Sequence, residues 1–247
     1  MNFGLIGKSI SHSFSKSYFE AKFVADHNLI DTYTNFDLED LGSLLRIISE
    51  NTISGLNVTK PYKELVIPYL NEIDLVAKDI GAINCIKISL KNNLPYLIGY
   101  NTDYYGFAQS IKPFMEPIHQ KALILGTGGA SKAVNYALKN VGVDVYFVTT
   151  GTKKAENYLH YEDLNENVLA AFKLIVNCTP LGLYPTVDDC PEIPYQFITS
   201  EHLMYDLIYN PEETLFLKKG KAQGAICING LNMLKLQADK ALEIWKQ

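Results

Sequence analysis

An apolar run that breaks into a glycine cluster and resumes as a helical pattern, LILGTGGAS at residues 123–131, leaves few folds open to the chain that carries it. A strand that ends in such a turn and passes at once into a helix is the building unit of a doubly wound parallel sheet. Gly126 permits the tight turn after the strand, Gly128 lets the backbone approach a pyrophosphate, and Ser131 takes the place of a third glycine at the helix start. The N–H groups and dipole of that helix start favour an anion. Plain packing can call for the same glycines, so the neighbouring pattern decides. From about residue 121 the chain alternates: strand KALIL, helix ASKAVNYALKN, strand VDVYFV, a short helix from Lys153, strands KLIVN and LMYDLIY, helix PEETLFLKKG and strand AICIN. That order predicts a C-terminal Rossmann-type, doubly wound parallel sheet with a dinucleotide at the glycine turn.

The end of the second strand selects the dinucleotide. An acid about 20 residues beyond the glycines would bond the ribose hydroxyls of NAD and repel the extra phosphate of NADP. Here VDVYFV runs into Thr149, Thr150, Gly151, Thr152, Lys153 and Lys154, which supply hydroxyls and two cations but no carboxylate. NADP (NADPH) is the expected cofactor; two lysines that merely face solvent are the alternative.

Residues 1–102 are less regular, with strand candidates FGLIG, YTNFDL, ISGLNVT, AINCIKIS and LPYLIGY between helical stretches. They predict an N-terminal α/β unit with a mixed sheet, and a ligand cleft is expected between it and the dinucleotide unit. Leu231, Leu234, Ala238, Ala241, Leu242 and Trp245 mark one face of a final amphipathic helix that could pack on either unit. A net charge of −5 with no basic run argues against nucleic acid and for small-molecule chemistry. The four cysteines lack CxxC spacing and read as reduced thiols, with neither disulfides nor a metal site expected. The start MNFGLIGKSISHS has too short an apolar run for a signal peptide, no stretch is long enough to span a membrane, and a cytoplasmic location is expected.

Four polar segments punctuate the first unit. In SHSFSKSYFE, Ser17 and Glu20 have capping-box spacing and predict a helix start at Ser17, which leaves Ser13 and Ser15 on alternate positions of the loop before it. Two hydroxyl donors beside a helix start suit a carboxylate, though a serine-rich turn can be only a turn. GLNVTKPYK offers Asn57, Thr59 and Lys63 after a strand; GAIN offers Asn84, and GYNTD ends a strand in Asn101, Thr102 and Asp103. Lys63 and Asp103 from two strand ends of one sheet could meet as proton donor and orienting carboxylate, or as an ordinary ion pair.

Together these segments resemble the shikimate dehydrogenase family, the NADP-dependent oxidoreductases of aromatic amino-acid (chorismate) biosynthesis. The likeness runs through HSFS at 12–15, NVTKPYK at 57–63, GAIN at 81–84, YNTD at 100–103, GTGGAS at 126–131, NCTPLGL at 177–183, YDLIYNP at 205–211 and NGLNMLKLQA at 229–238. It implies a substrate and catalytic domain made of residues 1–102 and 231–247, with the Rossmann domain at 103–230. It implies that Ser13 and Ser15 bind the substrate carboxylate with help from Tyr209, and that Thr59, Lys63, Asn84, Asp103 and Gln237 surround the ring hydroxyls, with Lys63 and Asp103 as the catalytic pair. It further implies that Gly126, Gly128, Gly129 and Ala130 hold the pyrophosphate, while Thr179, Pro180, Leu181, Gly230 and Met233 line the nicotinamide end. The implied reaction is reversible reduction of 3-dehydroshikimate to shikimate by a monomer or homodimer.

Two positions depart from the family pattern. Thr150, Gly151 and Thr152 stand where the family usually has Asn-Arg-Thr, so the planar cation that pairs the extra phosphate is missing, and Lys153 or Lys154 can replace it only as a point charge. Looser exclusion of NAD is the expected consequence. Lys16 stands where proline commonly follows the serine pair. The rival functions are a quinate/shikimate dehydrogenase with relaxed NAD/NADP use and a non-catalytic sensor of shikimate-like ligands; retention of both Lys63 and Asp103 speaks against the sensor.

Overall fold

The computed structural model describes every residue except 11, 12, 29, 153 and 154, and the chain divides into one unit of Met1–Asp103 with Gln237–Gln247 and another of Tyr104–Leu236. In the first, period-two burial builds the sheet: Phe3 and Leu5 of β1 (Asn2–Gly7) join one apolar cluster, and Ile6 joins the cluster on the other face. There follow α1 (Phe14–Ala25), β2 (Thr32–Asp37), α2 (Leu44–Glu50), β3 (Ile53–Val58), α3 (Tyr62–Leu65), β4 (Glu72–Ile73), α4 (Leu75–Ile80), β5 (Cys85–Lys91) and β6 (Leu94–Tyr100). The strand order is β2-β1-β3-β5-β6-β4; β1 is parallel to β2 and β3, whereas β5 is antiparallel to β3 and β6. This is the mixed sheet the sequence predicts. Its register decides where the chemistry can lie, because Asn57 pairs with Cys85 and Cys85 with Tyr100. The segments NVTKPYK, GAIN and YNTD therefore meet at one rim.

The start of α1 differs from the expectation at Ser17. The helix begins at Phe14, with Ser13 as its N-cap in extended conformation (φ −66°, ψ 131°). Ser17 lies inside the first turn, where its hydroxyl donates back to the Phe14 carbonyl at 2.9 Å. A serine that satisfies itself in this way needs no cap geometry, so the spacing to Glu20 misleads.

The second unit contains α5 (Asp103–Ile111), whose first residue still belongs to the first unit, and then β7 (Lys121–Leu125), α6 (Gly129–Lys139), β8 (Asp144–Thr149), β9 (Tyr158–His160), α7 (Glu166–Ala171), β10 (Leu174–Asn177), β11 (Leu203–Asp206), α8 (Leu215–Ala222) and β12 (Ile226–Ile228). All its strands are parallel, in the order β12-β11-β10-β7-β8-β9. Ala122 and Ile124 pack on one face and Leu123 and Leu125 on the other, as a sheet covered on both sides requires. The helix expected from Lys153 is not found among the described residues. Residues 155–157 lead directly into β9, which pairs parallel with β8. Likewise α8 starts at Leu215 rather than near Pro211, since Thr214 caps it by accepting from Leu217 N at 3.4 Å.

The last helix, α9 (Leu231–Lys246), is divided between the units rather than belonging whole to the first. Met233 sits in a core cluster of the second unit. Ala238, Ala241, Leu242 and Trp245 complete the core of the first, where Trp245 stacks on Phe3 at 4.8 Å and donates to the Ile86 carbonyl at 3.0 Å. Gly55 lacks a side chain for this reason: a Cβ there would lie 2.4 Å from the indole. The packing of Trp245 in turn fixes Gln237, two helical turns earlier.

Candidate active site

At the rim where β3, β5 and β6 end, Lys63 Nζ lies 2.6 Å from Asp103 Oδ2. The lysine projects from α3 just after Pro61, and the aspartate is the first residue of α5, so neither depends on a mobile loop. Their side chains are 19% and 10% exposed, enough for a ligand to reach the ammonium and little enough to strengthen the attraction. Asn84 locks the carboxylate: its Nδ2 donates to Asp103 Oδ1 at 2.7 Å and is shared with Thr102 Oγ1 at 3.0 Å and Gln237 Oε1 at 3.3 Å. Asn84 cannot flip, because its Oδ1 accepts from the Thr102 backbone N–H at 2.6 Å. Five residues from four separate chain segments thus hold one cation in one place.

The serine loop adjoins a second polar chain. Ser13 Oγ accepts from Ser15 N at 3.3 Å, and both serines are half-buried. The Ser15 hydroxyl bonds the phenol of Tyr33, which burial pushes well above the usual tyrosine range. Tyr33 Oη donates to Asn57 Oδ1 at 2.8 Å, and Asn57 Nδ2 donates to the Asn84 carbonyl at 3.3 Å. The relay therefore connects the serines to the residue that clamps Asp103. Tyr33 carried no signal in sequence, being one more aromatic in a strand; its role follows from stacking on Phe19 of α1 at 4.4 Å. Thr59 is half-buried where the chain leaves β3, with its N–H on the Ile6 carbonyl.

In the second unit a cavity of about 650 Å³ opens at the C-terminal ends of β7, β8 and β10, lined by Gly126, Thr127, Val148, Thr149, Thr150, Tyr161, Thr179–Leu181, Asp189, Cys190 and Glu192. Gly126 has φ +98°, and a Cβ there would meet Thr179 Cγ2 at 3.2 Å, so only glycine fits without strain. A Cβ on Gly128 would meet nothing within 4 Å, which leaves the start of α6, with Gly129 and Ala130 in its first turn, open to a ligand. Ser131 is buried and donates to the Gly128 carbonyl at 2.6 Å, closing the turn. Thr150 and Thr152 are exposed; Lys153 and Lys154 lie outside the described residues. Sequence reasoning sought an acid only at the end of β8 and so passed over Asp189 and Glu192, which reach the cavity from a different loop.

The remaining expected ligands of the second unit are more varied in exposure. Leu181 is exposed and Tyr209 half-buried, whereas Met233 is 7% exposed within the core. A Cβ on Gly230 would fall 2.0 Å from the Leu207 carbonyl oxygen, so this glycine serves a close backbone approach. Among the described residues no cluster of His, Cys, Asp or Glu is arranged to hold a metal ion, and no helix is long and apolar enough to cross a membrane. The four cysteines are free thiols.

A dinucleotide-type parallel sheet joined to a mixed-sheet unit that presents a buried lysine–carboxylate pair defines a two-domain oxidoreductase of the nicotinamide-dependent class. Residues 5–86 match the model for the shikimate dehydrogenase substrate binding domain. A shikimate dehydrogenase (NADP(+)) of Clostridium beijerinckii is 40% identical, the alignment covering 99% of this chain and 92% of the relative. The crystal structure of shikimate dehydrogenase from Aquifex aeolicus superposes with a TM-score of 0.87 at 34% identity, over 99% of this chain and 92% of that one. The Thermus thermophilus enzyme, solved in complex with NADP(H) and shikimate, gives 0.85 at 30% identity, over 99% and 93%. The chain belongs to the shikimate dehydrogenase family.

Proposed function

We propose that this protein catalyses the reversible, NADPH-dependent reduction of 3-dehydroshikimate to shikimate. The observation that carries the reading is the 2.6 Å contact between Lys63 Nζ and Asp103 Oδ2, with Asn84 holding the other carboxylate oxygen. NADPH, when bound, supplies the hydride. As negative charge gathers on the carbonyl oxygen, the Lys63 ammonium stabilises it and delivers a proton; in the oxidative direction the same amine removes that proton. Asp103 keeps the amine aimed and accepts a bond from a ring hydroxyl, and Thr59, Asn84 and Gln237 supply the remaining polar contacts to the ring. Ser13 and Ser15 donate to the carboxylate, with Tyr209 as a third donor.

The glycine turn fits a dinucleotide, since Gly128 faces open space at a helix start and the cavity beside it is large enough for part of one. Thr150, Thr152, Lys153 and Lys154 are the groups proposed for the extra phosphate, Gly126 to Ala130 for the pyrophosphate, and Thr179, Pro180, Leu181, Gly230 and Met233 for the nicotinamide end. A second reading, dual use of NAD and NADP, is favoured by the carboxylates of Asp189 and Glu192 in the same cavity. They suit ribose hydroxyls and weaken the hold on a phosphate. Free thiols and the biosynthetic role support a cytoplasmic location, and either a monomer or a homodimer serves the reaction. The test is the rise in reduced-nicotinamide absorbance when the protein meets shikimate and NADP⁺, repeated with quinate and with NAD⁺. Turnover of shikimate with NADP⁺ well above the other combinations is expected; no turnover of any pair contradicts the reading.

A further inference from the structure

One buried carboxylate has no part in the reaction just described. Asp206, the last residue of β11, is fully buried, and the donors that meet it are neutral: Asn177 Nδ2 at 3.1 Å and Ile208 N at 3.0 Å on Oδ1, and Thr214 Oγ1 at 2.6 Å on Oδ2. Burying a carboxylate without a cation is strongly unfavourable, and a neutral amide side chain would fill this place with less conflict. Burial pushes its pKa up to about 6, against the opposing pull of the three donors.

What the carboxylate secures is the orientation of its neighbour. With Nδ2 turned to Asp206, Asn177 must present Oδ1 to the turn that follows β10, where it accepts from Thr179 N at 3.0 Å and Thr179 Oγ1 at 2.7 Å. Thr179 Oγ1 then accepts from Leu181 N at 3.3 Å. A flipped Asn177 would set its amide donors against those of Thr179. The turn so fixed walls the cavity at the glycine turn, with Thr179 Cγ2 at the closest point to Gly126. We propose that Asp206 is a positioning residue for the cofactor: acting through Asn177 it sets the turn at 177–181, and its ionised form holds that turn for tighter dinucleotide binding than its neutral form. The inference rests on the cofactor reading above. Protonation at Oδ2 reverses the Thr214 bond and leaves Oδ1 a neutral carbonyl, so the hold on Asn177 drops from charge-assisted to ordinary.

Among the described residues, titratable groups that feel the charge of Asp206 include Cys178, next after Asn177 in the chain, and Tyr195 from the short helical turn before β11. Burial raises both, so they stay uncharged between about pH 5 and 8 and the response belongs to Asp206. The sign separates positioning from mere stability. A carboxyl whose pKa is raised by folding makes the fold more stable as pH falls through 6 toward its unfolded value, whereas the positioning role makes cofactor binding weaker over the same range.

The experiment measures the NADP⁺ dissociation constant of the full chain from about pH 5 to 8, for wild type and Asp206→Asn. Only the ratio of the two is read, because the 2′-phosphate titrates in this range and cancels in it. Expected is a variant that melts no lower than wild type yet binds NADP⁺ roughly 3–10-fold more weakly at the alkaline end, with the ratio closing toward one as pH falls below about 6. A ratio of one throughout overturns the inference while leaving the wild-type cofactor reading intact; failure of wild type to bind NADP⁺ would instead overturn that reading. Thr214→Val keeps the proposal testable if Asp206→Asn does not fold. Loss of that donor should raise the pKa of Asp206, so the ratio of NADP⁺ dissociation constants between Thr214→Val and wild type should change with pH near 6, and a ratio flat in pH counts against the proposal.

Discussion

The two halves of this molecule prepare for a ligand in opposite ways. In the first unit the polar groups at the rim are side chains, mostly buried and interlocked: Lys63, Asp103, Asn84, Thr102 and Gln237 fix one another through bonds of 2.6–3.3 Å. In the second unit the seat for the ligand is set first by backbone, a left-handed glycine and an open helix start, with the side chains of Thr150, Asp189 and Glu192 lining the same cavity. A site of interlocked side chains should fail sharply and in rate; a site of backbone shape should fail gradually and in affinity. Preorganised charge belongs where the bond is made, while the cofactor end relies first on room and an anion seat.

The sharpest way to break that contrast is Asp103→Asn. It removes the charge facing Lys63 without changing shape, and kcat should fall by about 10²–10⁴ while NADPH affinity stays within about two-fold. Equal loss in both quantities would merge the two sites into one. On the other side, Gly126→Val forces a side chain onto a φ of +98° and against Thr179. Strain of about 1–3 kcal/mol should weaken NADPH binding by roughly 10- to 100-fold with little change in the KM for 3-dehydroshikimate, read by titrating each ligand separately. Ser13→Ala should raise that KM about ten-fold through loss of a bond to a charged group, and should lower thermal stability by about 1 kcal/mol through loss of the α1 cap. If the KM holds and only the melting temperature moves, Ser13 is a cap and nothing more. The smallest effect is expected for Gly151→Arg, at an exposed position where a Cβ would press the Thr149 hydroxyl at 3.3 Å but the planar cation the chain lacks would be restored; it should raise the preference for NADPH over NADH by about three- to ten-fold in kcat/KM.

The same contrast explains which features leave a mark on the sequence. KALIL and LIVN announce a sheet buried on both faces, and glycine at 126 announces its turn, because backbone constraints leave marks on local sequence. The meeting of Lys63 with Asp103 could be suspected from two strand ends, but only the antiparallel β5 between β3 and β6 brings those ends to one rim. Tyr33 and Asp206 lie beyond local reading altogether: each acts through an asparagine distant in the chain, and nothing near them in sequence marks that partner. The helix expected from Lys153 starts outside the described residues; lysines and a polar stretch suit a helix by composition, but residues 155–157 lead straight into β9, which runs parallel to β8.

If the amine of Lys63 moves the proton that accompanies the hydride, its removal must show in the rate at which Lys63→Ala, with shikimate and NADP⁺ both saturating, produces reduced nicotinamide. A fall of about 10²–10⁴ with an unchanged NADP⁺ dissociation constant is predicted; turnover within a few-fold of wild type would contradict the account.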